Sequence, residues 1–198
     1  MGVKLFLKGE RCLSAKCSII RKPYPPGQKK KRRARALSEY GKELREKQKM
    51  KNWYNLRERQ FKKYVKSVLN AGAKVQDAST LLIKILETRL DNVVFRLGFA
   101  SSRSSARQMI SHGHFLVNGK PINIPSYLVK KGDKIGLKPK SVKMALFQNL
   151  PIVLKKHTPP GWLEMSIEKF EGKVLRYPTY DEATPPAEVS SIFEFYSR

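Results

Sequence analysis

Acidic residues are scarce in this chain: 16 Asp and Glu stand against 41 Lys and Arg, a formal net charge of +25. Self-repulsion of that size works against a compact chain without a counter-charge, so a polyanionic partner is expected. A merely solvating basic surface and a membrane-surface protein are the bland alternatives. No apolar run is long enough to span a bilayer, and no apolar signal-peptide core follows Met1, so no membrane association is expected. There are only two cysteines, Cys12 and Cys17, too few for a disulfide framework. Without a secretory signal they are expected to be free thiols in a reducing compartment. Histidine is also rare, and His112, His114 and His157 are all far from the cysteines in sequence. No internal repeat is visible.

What the chain does contain is unevenly spread. Residues 1–70 hold 22 Lys and Arg against 5 acids, whereas residues 163–198 hold 4 against 7. A charge that only solvated the surface would not be so polarised, and RNA or DNA is the leading partner class.

The richest stretch is TRLDNVVFRLGFASSRSSARQMISHGHFLVNGK, residues 88–120. Thr88 and Asp91 have capping-box spacing, which predicts a helix from Thr88 with Leu90, Val93, Val94 and Leu97 inward. Gly98 is placed to end it. Ser102 or its neighbour Ser101 caps a second helix carrying Ala106, Met109 and Ile110 inward. Asn118-Gly119 predicts a hairpin, since both residues tolerate positive φ. Arg89, Arg96, Arg103 and Arg107 suit bidentate phosphate contacts, and with only Asp91 nearby most of them should be available to RNA. Ser102 can cap and bind phosphate together. Gln108, His112, His114 and Lys120 are candidate backbone contacts. His112-x-His114 lacks a Cys or acidic partner and is not expected to hold metal.

Upstream, residues 1–37 read as a basic arm. Pro23, Pro25 and Pro26 oppose regular structure and hold Tyr24 out to stack on a base. Lys29, Lys30, Lys31, Arg32, Arg33 and Arg35 form a run that orders against phosphates. Residues 38–87 read as a helical domain. Ser38 caps a helix through about Lys51 that is charged all round, with Arg45 and Lys47 as RNA contacts and Glu43–Lys47 worth only ~0.3–0.5 kcal/mol. A second helix buries Phe61, Tyr64, Val65, Val68 and Leu69 and leaves Arg59 and Lys62 off the stripe. A third is expected to open at Ser79. Residues 88–178 form an α+β module with an extended antiparallel sheet. Its strands are expected at Ser126–Val129, Lys134–Leu137, Trp162–Ile167 and Lys173–Tyr177, with a helix capped by Ser141 between them. The stripe Val189, Ile192, Phe193 and Tyr196 within 179–198 is expected to complete the helical domain. The fold class is α+β.

RLDNVVFRLGFA, SSRSSARQMISHGH and FLVNGK resemble the RNA-binding module of bacterial-type small-subunit ribosomal protein four. GVKLFLKGERC, PYPPGQ, EYGKELREKQK, ERQF, PSYLVKKGDKI and EFYSR are similar to other blocks of that family in the same order. The resemblance covers nearly the whole chain. It departs at Lys29-Lys30-Lys31, where the family has His-Gly, and at Asn55, where it has glycine. It implies a primary rRNA binder of the small subunit that organises an rRNA junction, nucleates assembly and affects decoding accuracy. It also implies a place near the channel by which mRNA enters, beside the fifth small-subunit protein, as a monomer within the cytoplasmic ribosome. Some members carry a four-cysteine metal site at this end. Here Cys12 and Cys17 are its downstream pair alone, so no cofactor is expected; zinc returns only if ligands lie upstream of Met1.

Two other functions compete. Arg89-Leu90-Asp91 echoes the catalytic stretch of an RNA-modifying enzyme, although no large catalytic domain accompanies it. An RNA-binding regulator acting off the ribosome is the third reading.

Overall fold

The computed structural model of the protein describes residues 3–24, 27, 36–72 and 75–197. In chain order its helices are α1 (Glu10–Leu13), α2 (Ser18–Arg21), α3 (Glu39–Trp53), α4 (Glu58–Leu69), α5 (Val75–Glu87), α6 (Leu90–Arg96) and α7 (Arg103–Ser111). Strands β1 (Phe115–Val117), β2 (Lys120–Pro121) and β3 (Lys134–Leu137) follow, then helices α8 (Pro139–Val142) and α9 (Leu150–Lys156). Strands β4 (Leu163–Ser166) and β5 (Glu171–Val174) and helices α10 (Tyr180–Ala183) and α11 (Val189–Ser197) complete the chain. The fold is α+β.

Two compact units emerge, Met1–Ser79 with Pro185–Arg198, and Thr80–Thr184. The division between these compact units falls inside α5 and at 184/185. Helical periodicity marks where α5 runs, whereas the unit boundary depends on what each of its turns packs against.

In the first unit Ser38 caps α3, its Oγ accepting from the Gly41 N–H at 3.3 Å. The apolar stripe of α4 buries Phe61, Val65 and Val68. Helix α11 packs on α3 and α4 and buries Val189, Ile192 and Phe193, each such side chain contributing about 1.5–3 kcal/mol. Asn55, between α3 and α4, has φ 53°. That left-handed conformation favours glycine, and asparagine is among the few other residues that adopt it readily. The segment taken as an extended arm holds two single-turn helices, α1 and α2, with Leu5 and Cys17 buried.

In the second unit the sheet is antiparallel, in the order β2-β1-β3-β5-β4. Asn118 (φ 50°) and Gly119 (φ 77°) make the tight turn between β1 and β2. Helices α6 and α7 pack together, and Leu90, Val93, Leu97, Ala106 and Ile110 join Phe115, Ile135 and the wholly buried Trp162 in one core.

Four local expectations are corrected. Thr88 does not cap α6: Arg89 occupies that position, and the Thr88 hydroxyl donates instead to Lys84 O at 2.7 Å. Residues 126–129 form no strand, only a bridge between Leu128 and Arg89. The last hairpin turns before Glu171, because Phe170 takes φ 49° and Glu171–Val174 then pair with β4. Ser141 lies inside α8 rather than capping a helix.

Gly98 ends α6 with φ 86°, and a Cβ there would stand 2.6 Å from the ring of His157. That ring is held by a 2.8 Å hydrogen bond between Nε2 and Arg96 O. Gly98→Ala is therefore expected to cost about 2–4 kcal/mol, combining left-handed strain with overpacking. Urea denaturation checks this; an unchanged midpoint would show that His157 yields freely.

Candidate nucleic-acid interface

Four of the arginines nominated for RNA, Arg89, Arg96, Arg103 and Arg107, are engaged inside the protein. Arg89 is 1% exposed, and its Nη2 and Nε donate to Asp91 Oδ2 and Oδ1 at 2.7 and 3.0 Å. Arg107 reaches the same carboxylate from α7, with Nη2 at 2.7 Å from Oδ2. Asn92 accepts from Arg103 Nε at 2.7 Å and donates to Glu87 Oε2 at 2.7 Å. Arg96 donates to both Glu87 oxygens, at 2.9 and 3.1 Å, and to Ala183 O. The Arg103 guanidinium also lies 4.6 Å above the Phe95 ring.

Arg89, Arg96 and Arg103, expected as phosphate ligands, are thus placed on partners within the protein. Their guanidinium groups are spent on carboxylates and an amide, and Arg89 and Arg103 are buried. Arg107 keeps 29% of its side chain exposed and can reach outward only while holding Asp91. The acids and amide that claim them are up to 16 residues away in sequence, so local spacing did not reveal the pairing.

Lys47 is likewise placed on an internal partner. It is 7% exposed beside α11, with Nζ 2.8 Å from Glu58 Oε1 and 4.4 Å from the Phe195 ring centroid. Helix α3 has no apolar stripe, so its sequence could not say which face α11 would cover. Tyr196 Oη donates to the same Glu58 oxygen at 2.7 Å. Burial pushes the Glu58 carboxyl up, but hydrogen bonds from Lys47 and Tyr196 and the charges of Lys47 and Lys51 outweigh it and hold the carboxyl below its ordinary value. Burial and the bond to Glu58 push the Tyr196 phenol up.

What remains outside is a basic face on the first unit. Arg57, Arg59, Lys62, Lys63 and Lys66 of α4 and its cap are all exposed, as is Arg45 of α3. Glu58, the one acid of α4, is the residue claimed by Lys47 and Tyr196. The core stripe of α4 therefore turns its cations outward, and the one carboxylate among them, Glu58, is paired with Lys47. On the second unit the outward groups include Gln108, His112 and Lys120, with Lys130, Lys131 and Lys134 on and before β3. Ser102 caps α7, accepting from the Ser105 N–H at 3.2 Å. His114 is half-buried, its Nδ1 2.9 Å from Ser141 Oγ. Burial first, then the charges of His112 and Lys138, lowers the pKa of the His114 imidazole from its ordinary value. Lys29, Lys30, Lys31, Arg32, Arg33 and Arg35 lie outside the described residues.

The segment 3–24 folds around a cavity of about 780 Å³ with Tyr24 and Phe6 in its wall. Phe6 takes φ 51° and is half exposed. A bulky residue in that conformation typically costs about 1–3 kcal/mol and needs support from its surroundings. No sequence signal marked Phe6, because a positive φ at an aromatic residue is invisible in composition or period.

Cys12 and Cys17 are free thiols on the same cavity. The Lys8 N–H donates to Cys12 Sγ at 3.3 Å. Backbone hydrogen bonds from Ile20 and Ile19, aided by Lys4 and Cys12, hold the Cys17 thiol below its ordinary value. Two sulfurs fill half of a tetrahedral zinc shell. Among the described residues no third His, Cys, Asp or Glu joins them to complete a metal-binding group.

Two family models match. The Ribosomal protein S4/S9 N-terminal domain covers residues 1–87, and the S4 domain covers residues 88–135. Proteins described as small ribosomal subunit protein uS4 are similar along the full chain. Those of Thermotoga petrophila and Thermus thermophilus are each 46% identical over 198 residues, and that of Halothermothrix orenii is 48% identical. Each comparison covers 100% of this chain and 93% of the relative. Two adjoining domain models and full-length identity at this level leave one assignment: the chain belongs to the family of small ribosomal subunit protein uS4.

Proposed function

We propose that this protein is a structural constituent of the small ribosomal subunit that binds rRNA and fixes the geometry of an rRNA junction. The observation that carries the reading is the α4 face, where five exposed cations stand with their one acidic neighbour tied to Lys47 and Tyr196. A rigid row of cations at helical spacing grips phosphates of a folded RNA by shape, since A-form grooves admit little base readout. Each unit carries its own exposed cations, so each can hold a separate rRNA element. Holding both converts a flexible junction into one conformer, which nucleates assembly by presenting a surface to later proteins. The reading extends to a cytoplasmic ribosome, a monomer beside the fifth small-subunit protein, nearby mRNA and an influence on decoding accuracy. It requires no cofactor.

An RNA-modifying activity is disfavoured by one specific observation. Asp91, the carboxylate of the Arg89-Leu90-Asp91 stretch, is 2% exposed and held by two guanidinium groups. A nucleophile has to reach its substrate. No helix among the described residues is long and apolar enough to cross a membrane.

The test is reconstitution on protein-free small-subunit rRNA followed by chemical footprinting and a high-salt wash. Stoichiometric retention with protections clustered at a multi-helix junction is expected. Release in the wash, or protections scattered along single helices, would overturn the junction-binding role. A modified nucleoside in the recovered rRNA would install the enzyme reading instead.

A further inference from the structure

The cavity of segment 3–24 is lined on one side by Val3, Leu5, Leu7 and Ile19, and carries the rings of Phe6 and Tyr24. Both rings are about half exposed, at 50% and 47%. Every charged side chain in the lining is a cation: Lys4, Lys8, Arg11, Lys16, Arg21 and Lys22. Lys4 Nζ sits 5.0 Å from the centroid of the Phe6 ring. The fold therefore keeps a half-exposed aromatic side chain in a left-handed backbone conformation, in a cavity whose lining also holds a second aromatic and six cations.

We propose that this cavity receives one unstacked base of a single-stranded or bulged RNA nucleotide, with the surrounding lysines and arginines holding its flanking phosphates. The inference rests on the RNA-binding reading above and names a site within it. A base offers a flat π-face to Phe6 or Tyr24, and its nucleotide brings the negative charge the lining calls for. At about 780 Å³ the cavity lies within the range of small-ligand sites and admits a base with its sugar. An uncharged apolar ligand would leave six cations without purpose. Asn52 of α3 reaches the same wall and adds an amide able to donate to and accept from a base edge. The recognition tolerates different bases, since every base stacks.

Small-subunit rRNA substituted at random with 4-thiouridine or 6-thioguanosine, bound to the full-length protein and irradiated, is expected to crosslink one nucleotide to a peptide holding Phe6 or Tyr24. An abasic substitution at that nucleotide should weaken binding about 10- to 100-fold and leave the salt slope unchanged, because stacking rather than phosphate contact is lost. This change leaves the protein intact, so misfolding cannot imitate it. Phe6→Leu should act in the same direction with an unchanged melting temperature. Bound RNA should also shield Cys12, which lines the cavity, from N-ethylmaleimide. If the wild-type protein binds no small-subunit rRNA, the RNA-binding reading itself fails. If it binds, yet the abasic RNA binds equally well or crosslinks fall only elsewhere, the base site alone is overturned. A crosslink from this peptide to a neighbouring protein in assembled subunits would overturn it too.

Discussion

Asp91→Ala is expected to cost the Thr80–Thr184 unit about 3–5 kcal/mol, the range for removing one partner of a buried ion pair. Asp91 is 2% exposed and holds two guanidinium groups, one of which, Arg89, is itself 1% exposed. Alanine takes away the carboxylate that accepts from both Nε and Nη2 of the buried Arg89, and a buried cation that loses such a partner cannot recover its hydration. In a unit of this size each kcal/mol shifts the melting temperature by several degrees, so a drop of about 15 °C or more is expected. Thermal melting by circular dichroism checks it. Arg107→Ala should cost less, because its side chain is 29% exposed and Asp91 keeps Arg89. Replacing the Arg89–Asp91 pair together by apolar residues should recover much of the loss, since the penalty lies in the orphaned charge rather than in the pair. A loss below about 1 kcal/mol for Asp91→Ala would show that water reaches the pair.

The second large effect concerns salt. Affinity for small-subunit rRNA is expected to fall about 10³- to 10⁵-fold between ~50 and ~200 mM monovalent salt, the response of a protein neutralising some six to ten phosphates. The +25 net charge supplies ample cations, and the structure says which of them are available. Lys62→Ala with Lys63→Ala removes two exposed cations of α4 and should lower the log–log slope by about 1.4–1.8. Lys47→Ala should leave the slope unchanged while destabilising the helical unit, because its charge is tied to Glu58 beside α11. Titration by filter binding or fluorescence anisotropy over a salt series measures both. A flat response would refute the phosphate grip, and a slope lowered by Lys47→Ala would return that residue to the interface.

The same contrast runs through the rest of the molecule. Phe61, Val65 and Val68 were legible as core because an apolar stripe at helical spacing has one physical use. Asn118-Gly119 was legible as a turn because few residue pairs tolerate that backbone. The capping box at Thr88 and Asp91 had the right spacing and failed. Asp91 satisfies two arginines, and Thr88 turns back to Lys84. A double-alanine change at Arg103 and Arg107 would accordingly report on stability as much as on RNA affinity.

The sequence by itself determined the α+β class, the capping of α3 by Ser38 and of α7 by a serine at 101 or 102, the buried faces of α4, α6 and α7, and the polyanionic nature of the partner. All of these depend on local spacing or on summed charge. Only the tertiary structure decided which cations face outward. A guanidinium is committed by the carboxylate that meets it: Asp91 meets Arg107 across the packed α6–α7 pair, and Glu87 at the end of α5 meets Arg96 at the end of α6. Phe6 likewise stands in the wall of a cavity with a left-handed backbone angle that no pattern of residue types records.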